Sequence, residues 1–103
     1  MAEKEFVIPY SNNARKRHYH QTKRGKVIKF VVQLEVKDKG KWKEVIRYDC
    51  THGYAHRDSY NLHGNQSKEE LYLRFEDALT LADDDIEENW TGHKRRFLKG
   101  DIP

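Results

Sequence analysis

The chain has 103 residues, of which 36% are hydrophobic and 36% charged, with a formal net charge of +3 and a mean hydropathy of −1.08. This length allows one domain with a modest core and excludes a second one. The sequence contains a single cysteine. It has neither the apolar core of a signal peptide nor an apolar run near the roughly 20 residues that span a bilayer. We therefore expect a soluble cytoplasmic protein without a disulfide or a membrane partner.

The N-terminal segment is polar, basic and aperiodic. Residues 1–26 contain seven Lys or Arg and two Glu, which gives this segment a formal charge of +5. Such a segment is typical of proteins that bind polyanions, although it also fits a solvated tail that aids solubility. We predict a basic, partly disordered arm over residues 1–25 and a single α+β domain over residues 26–103. The predicted nucleic-acid-binding residues of the arm are Arg15, Lys16, Arg17, Lys23 and Arg24.

Alternating hydrophobicity predicts the first strand over Lys26–Lys37. Apolar side chains occupy every second position from Ile28 to Val36, which is the period of a strand with one buried face. A Gly-containing turn at residues 38–41 then leads into a second predicted strand, Trp42–Cys50.

Turn residues delimit two further segments. His52-Gly53 precedes a third predicted strand, Tyr54–Leu62. Residues 67–74 fit either the capped start of a helix or a short edge strand, because a capping sequence is followed by alternating apolar residues. The alternation favours the strand.

An apolar stripe predicts a helix from about Phe75 to Leu98. Its members, at helical spacing, are Phe75, Leu79, Ala82, Ile86, Trp90 and Phe97. The acidic run at residues 83–85 is expected on the solvated face, and Trp42 and Trp90 are expected to anchor the core. The predicted fold class is therefore α+β, an antiparallel meander of three to four strands packed against one long C-terminal amphipathic helix.

Titratable side chains concentrate around the turn that follows the second strand. Histidine exchanges protons near neutral pH, and arginine holds phosphate through paired hydrogen bonds. We predict a metal-independent cleavage of RNA, in which a histidine deprotonates the 2′-hydroxyl, another group protonates the leaving oxygen and an arginine stabilises the charged intermediate. The alternative is a polar turn with ordinary ion pairs across the strands, and the strand register decides between them. The predicted catalytic residues are Arg47, His52, His56, Arg57 and Asp58.

Three residues of the same region belong to types that bind zinc. Cys50, His52 and His56 match no standard zinc spacing, and the fourth ligand would have to be Asp58 or His63. We therefore expect no bound metal and no cofactor. Cys50 is expected to be a small inward-facing residue of its strand.

Several short motifs carry a family resemblance. They are Phe30-Val31-Val32-Gln33-Leu34-Glu35, Trp42 with Arg47-Tyr48-Asp49, His52-Gly53 with His56-Arg57-Asp58, Ala78-Leu79-Thr80, Asp85-Ile86 and Asn89-Trp90. Over residues 26–98 the chain resembles a family of small uncharacterised prokaryotic proteins, which implies no particular activity. Residues 47–56 are also similar to a histidine-richer segment in one class of small toxins from toxin–antitoxin pairs, and this similarity implies activity on RNA.

The sequence thus predicts a small prokaryotic protein that binds or acts on RNA, as a toxin-like ribonuclease. Two alternatives remain open. One is a non-catalytic nucleic-acid-binding module that uses the basic arm. The other is a protein-interaction domain, such as one half of a two-protein pair or a homodimer, that associates through a sheet edge or the helix.

Overall fold

The computed structural model describes residues 1–103 as one antiparallel sheet with a helix packed on one of its faces. The elements are β1 (Ala2–Ser11), β2 (Ala14–Lys23), β3 (Lys26–Asp38), β4 (Lys41–Asp49), β5 (His56–Tyr60), β6 (Gln66–Glu70) and α1 (Phe75–Lys99). Strand order in the sheet equals strand order in the chain. The predicted α+β meander with one C-terminal helix is confirmed, with six strands instead of three to four.

Residues 1–25, expected to be a partly disordered arm, instead contribute two strands. β1 pairs with β2, and β2 pairs with β3 along nearly its whole length. On β2 the side chains that face α1 include Lys16 and His18, and each is only 4% exposed. Because this inward face is polar, the sequence shows no apolar alternation to mark the strand.

Two hairpins of the sheet have the same two-residue turn. Arg24 and Gly25 join β2 to β3 with φ of 53° and 78°, and Lys39 and Gly40 join β3 to β4 with φ of 51° and 79°. Two consecutive positive φ angles define a type I′ turn, whose twist matches that of the flanking strands. Glycine at the second position adopts this left-handed conformation without steric cost.

The core lies between α1 and the facing side chains of β3 and β4. Its fully buried members include Phe30, Val32, Leu34, Val36, Ile46, Ala78, Ala82, Ile86 and Phe97. A bulge opposite Leu34 and Glu35 adds one residue to β4, so Val45 and Ile46 are both buried. The bulge also reverses the facing of the preceding residues, and Trp42 therefore lies on the sheet face opposite α1, in contrast to the expected core position.

The acidic run of α1 is not uniformly solvated, as had been expected. Asp83 pairs with Lys16 Nζ at 3.1 Å, and Asp85 accepts a hydrogen bond from Tyr48 Oη at 2.7 Å. Only Asp84 of the three is exposed. Asp83 and Asp85 flank the apolar stripe of the helix and contact polar side chains of β2 and β4. No helix combines the length and hydropathy that a membrane crossing requires.

Trp90 is half-buried and stacks on Tyr10 of β1, with ring centroids 5.1 Å apart and planes 5° from parallel. We expect Trp90→Ala to lower the free energy of unfolding by about 2 kcal/mol, less than the ~3–5 kcal/mol of a fully buried aromatic residue. Urea denaturation would measure this change. Leu98→Ala, at a 39% exposed position of the same helix, is the control and should change the midpoint less. Equal midpoints for Trp90→Ala and the wild type would contradict the stacking contribution.

Candidate functional site

The register of β4 and β5 brings four titratable side chains together. Arg47 lies directly opposite Asp58, and Asp49 directly opposite His56. His56 Nε2 is 2.6 Å from Asp49 Oδ1 and 3.7 Å from Asp58 Oδ2, and Arg47 Nε donates to Asp49 Oδ2 at 2.7 Å. We call Arg47, Asp49, His56 and Asp58 the buried cluster, since the last three are at most 7% exposed. It lies on the face opposite α1.

Asp49 is the centre of this cluster. Burial alone would raise the pKa of its carboxyl, but hydrogen bonds from Thr51 N (3.2 Å) and Thr51 Oγ1 (2.9 Å), together with Arg47, outweigh burial and lower the pKa below 3.8. Burial would lower the pKa of Arg47, but the neighbouring Asp49 carboxylate raises it. Asp49 and Arg47 therefore form a charged pair at neutral pH.

The two histidines of the site differ in accessibility. His56 uses both ring nitrogens, since Nε2 faces Asp49 and Nδ1 lies 3.3 Å from the carbonyl oxygen of Tyr54. His56 is only 2% exposed, so neither nitrogen is free to reach a substrate. His52 is exposed, and its ring stacks on that of His56 with centroids 5.5 Å apart. His52 thus supplies the accessible imidazole.

Arg57 lies on the other face of the sheet. Its guanidinium is 5.8 Å from the ring centroid of Tyr48, and its Nη2 donates to the carbonyl oxygen of Pro103 at 3.3 Å. Strand alternation requires this position, because Arg57 lies between His56 and Asp58. Of the five residues predicted as catalytic, the structure places Arg47, His52, His56 and Asp58 together and Arg57 apart.

The zinc-type residues Cys50, His52 and His56 do not converge. Cys50 belongs to the core, where its Sγ is 3.4 Å from the backbone nitrogen of Phe30 and burial raises the pKa of the thiol. Another set converges instead. Ligand atoms of Asp49, His56 and Asp58 all lie within 4.8 Å of one another. Asp49 was not among the predicted catalytic residues, although its alternation with Arg47 in the sequence puts both on one strand face.

A second polar cluster, beneath α1, was also missed. Asp85 accepts one hydrogen bond from Tyr48 Oη and another from Asn89 at 3.0 Å. Its carboxylate also lies 3.1 Å from His93 Nε2. Burial would raise the pKa of Asp85, but these three partners outweigh it and lower the pKa well below 3.8. Burial and the Asp85 hydrogen bond both raise the pKa of Tyr48. The signal in the sequence was the spacing of four residues from Asp85 to Asn89 and on to His93.

Three of the predicted nucleic-acid-binding cations lie in the first half of β2. Lys16 is buried against Asp83. Arg15 donates to Glu35 at 2.6 Å, and its guanidinium lies 3.9 Å from the ring centroid of Trp42. Arg17 is exposed, and its nearest carboxylate contact is at 4.0 Å. Arg15 and Lys16 therefore already have anionic partners within the fold.

Of the remaining two cations, Lys23 is the last residue of β2 and Arg24 lies in the turn between β2 and β3. Lys26 and Lys29 extend the same surface, and we call these four residues the basic tip. All four are exposed, and none forms an ion pair. The basic tip lies at the same end of the sheet as the loop over residues 51–55, because Lys29 and residues of that loop line one cavity of about 390 Å³.

Among known proteins, the chain matches a protein family but no curated protein and no solved structure. The similarity to toxins stays a prediction. The family described as "Domain of unknown function (DUF7718)" matches residues 1–102. This match includes β1 and β2 as well as the sheet and helix predicted from the sequence. The chain therefore belongs to this family of domains of unknown function.

Proposed function

We propose that the protein is a cytoplasmic RNA-binding module that holds single-stranded RNA at the basic tip. The observation that carries the proposal is the group of four exposed cations without anionic partners. Unpaired cations bind phosphates at no cost to the fold, and each contact releases counterions from the nucleic acid. Paired cations such as Arg15 would first have to leave Glu35.

Apolar and aromatic surface beside the basic tip supports single strands as the ligand. Lys29 Nζ lies 5.9 Å from the ring centroid of Tyr19, which is half-buried on the same sheet face. Ile28, which precedes Lys29 in β3, is 41% exposed. Bases of a single strand can stack on such side chains while the phosphates contact the cations. Bases within a duplex are not available for this stacking.

The test is fluorescence anisotropy with a labelled RNA of about 12 nucleotides. The triple variant Lys23→Gln, Arg24→Gln, Lys26→Gln should bind at least ~10-fold more weakly at 0.1 M salt. The slope of log Kd against log salt concentration should fall by about 2, since each phosphate contact of a single strand contributes roughly 0.7.

The turn between β3 and β4 supplies the matched control. Lys39→Gln with Lys41→Gln removes two charges from a tip of the same backbone geometry at the other end of the sheet. This control should bind RNA nearly as tightly as the wild type. An equal loss in both variants would show nonspecific charge attraction, and a wild type that binds no RNA would leave the protein-interaction domain as the better function.

A second candidate function, metal-independent RNA cleavage, is favoured by the exposed ring of His52 stacked on His56. In this mechanism His52 removes the proton of the 2′-hydroxyl, and the 2′-oxygen attacks the phosphorus as the bond to the 5′-oxygen breaks. The leaving 5′-oxygen takes a proton from solvent water, and Arg47 stabilises the charged phosphate. The same RNA is incubated with the wild type and His52→Ala in EDTA. Cleavage by the wild type alone, with equal binding by both proteins, would add catalysis to binding. Intact RNA in both samples would leave a binding module.

A further inference from the structure

We infer that Asp49, His56 and Asp58 form a binding site for a divalent transition-metal ion, Mn²⁺ or Zn²⁺. The three side chains offer two carboxylate oxygens and one imidazole nitrogen, all within 4.8 Å of one another. β4 supplies the first ligand and β5 the other two, so all three stand on paired strands. A site on regular strands has little freedom to lose when an ion binds.

Asp58 gives the second, independent observation. Its Oδ1 is buried and has no hydrogen-bond partner, and the residue is 7% exposed. A buried carboxylate oxygen without a partner costs free energy that folded proteins usually avoid. Oδ2 of the same side chain is 3.7 Å from His56 Nε2, beyond a normal hydrogen bond. A cation between these groups would supply the missing partner of Asp58.

The surroundings of the three ligands match the outer shell of metal sites. Histidines that bind metals usually donate their other ring nitrogen to a carbonyl or carboxylate, and here Nδ1 of His56 faces the carbonyl oxygen of Tyr54 at 3.3 Å. Ligating carboxylates are hydrogen-bonded in turn, and Asp49 accepts from Arg47 at 2.7 Å and from Thr51 at 2.9 Å. Two of the three ligands are thus already oriented.

The donor set indicates the class of metal. Two carboxylates and one imidazole form a mixed oxygen and nitrogen donor set, and the imidazole favours transition metals over Mg²⁺ and Ca²⁺, which prefer oxygen. Two atoms that each lie about 2.1 Å from one ion are about 3 Å apart at a right angle and about 3.4 Å apart at the tetrahedral angle that Zn²⁺ prefers. The 2.6 Å between His56 Nε2 and Asp49 Oδ1 must therefore widen by roughly 0.4–0.8 Å, with the ion replacing the hydrogen between them.

The experiment uses the full chain without an affinity tag, stripped with EDTA and dialysed. Mn²⁺ is titrated and followed by the loss of the free-ion electron paramagnetic resonance signal, and Zn²⁺ by calorimetry. The wild type should bind one equivalent of either ion. Asp58→Asn should bind at least ~10-fold more weakly. At a metal concentration of 100 times Kd, the melting temperature of the wild type should rise by roughly 10 °C.

Two variants serve as controls. Glu44→Gln removes a carboxylate that also contacts Arg47, at 3.4 Å, but lies outside the ligand set. Cys50→Ser removes the only thiol. Both should keep full affinity. The absence of one-equivalent binding of Mn²⁺ and Zn²⁺ by the folded wild type, or equal affinity in Asp58→Asn, would overturn the site. RNA is absent from these titrations, so the result is independent of the proposed function.

Discussion

Asp49→Ala is expected to lower the free energy of unfolding by about 3–5 kcal/mol, because it removes one partner from a buried ion pair. The variant leaves His56, 2% exposed, without the acceptor at its Nε2. It also leaves Arg47 Nε and both Thr51 donors without their common carboxylate. Urea denaturation at pH 7 in EDTA measures the change without a contribution from metal.

Two other carboxylates of the same face provide the comparison. Glu44 is a half-exposed partner of Arg47, and Glu44→Ala should cost less than ~1 kcal/mol. Asp58→Asn should also cost little in EDTA, because Oδ1 of Asp58 makes no hydrogen bond. If Asp49→Ala is as mild as these two variants, the buried cluster is solvated and the ion pairs contribute little.

Acidification below about pH 4 is expected to remove ~2 kcal/mol or more of stability through Asp83 and Asp85. Burial would raise the pKa of each carboxyl, but hydrogen bonds from His18 and Lys16 to Asp83, and from His93 and Tyr48 to Asp85, lower it below the ordinary 3.8. The folded state then binds fewer protons than the unfolded state. The contribution of these two carboxyls to stability is therefore fully present above about pH 5 and is lost as the pH drops through the lowered pKa values.

Urea midpoints at pH 6, 4, 3 and 2 would measure this loss. Asp85→Asn should be less stable at pH 6 and should lose less stability on acidification, since one of the carboxyls with a lowered pKa no longer titrates. Asp84→Asn is the matched control, because Asp84 is the exposed neighbour between the two. A pH dependence in Asp85→Asn as steep as in Asp84→Asn would contradict the assignment.

The elements that the sequence predicts well are those with an apolar face. β3 and α1 have clear hydrophobic periods, and the structure places them over Lys26–Asp38 and Phe75–Lys99. β2 was missed because Lys16 and His18 occupy its inward face, where both contact Asp83 of α1. When the polar side chains of a strand face are paired with a side chain of another element, the sequence of the strand itself shows no hydrophobic alternation. The same reasoning explains why Asp83 was assigned to solvent.

The candidate site was predictable in composition but not in geometry. Strand alternation puts Arg47 with Asp49 on one face of β4 and His56 with Asp58 on one face of β5, and only the strand register decides that these two faces coincide. The position of Trp42 shows the same limit, since one extra residue in the β4 bulge reverses its facing. Bulges leave no reliable mark in a single sequence.

The order of the strands has a consequence for how the chain folds. Each strand pairs only with its neighbours in sequence, so every step of sheet formation closes a short loop. The entropic cost of loop closure grows with loop length, and folds with local contacts reach the native state faster than those with distant pairings. The polar hairpin of β1 and β2 buries little apolar surface by itself. It can instead form as an extension of β3, once β3 and β4 have collapsed against α1.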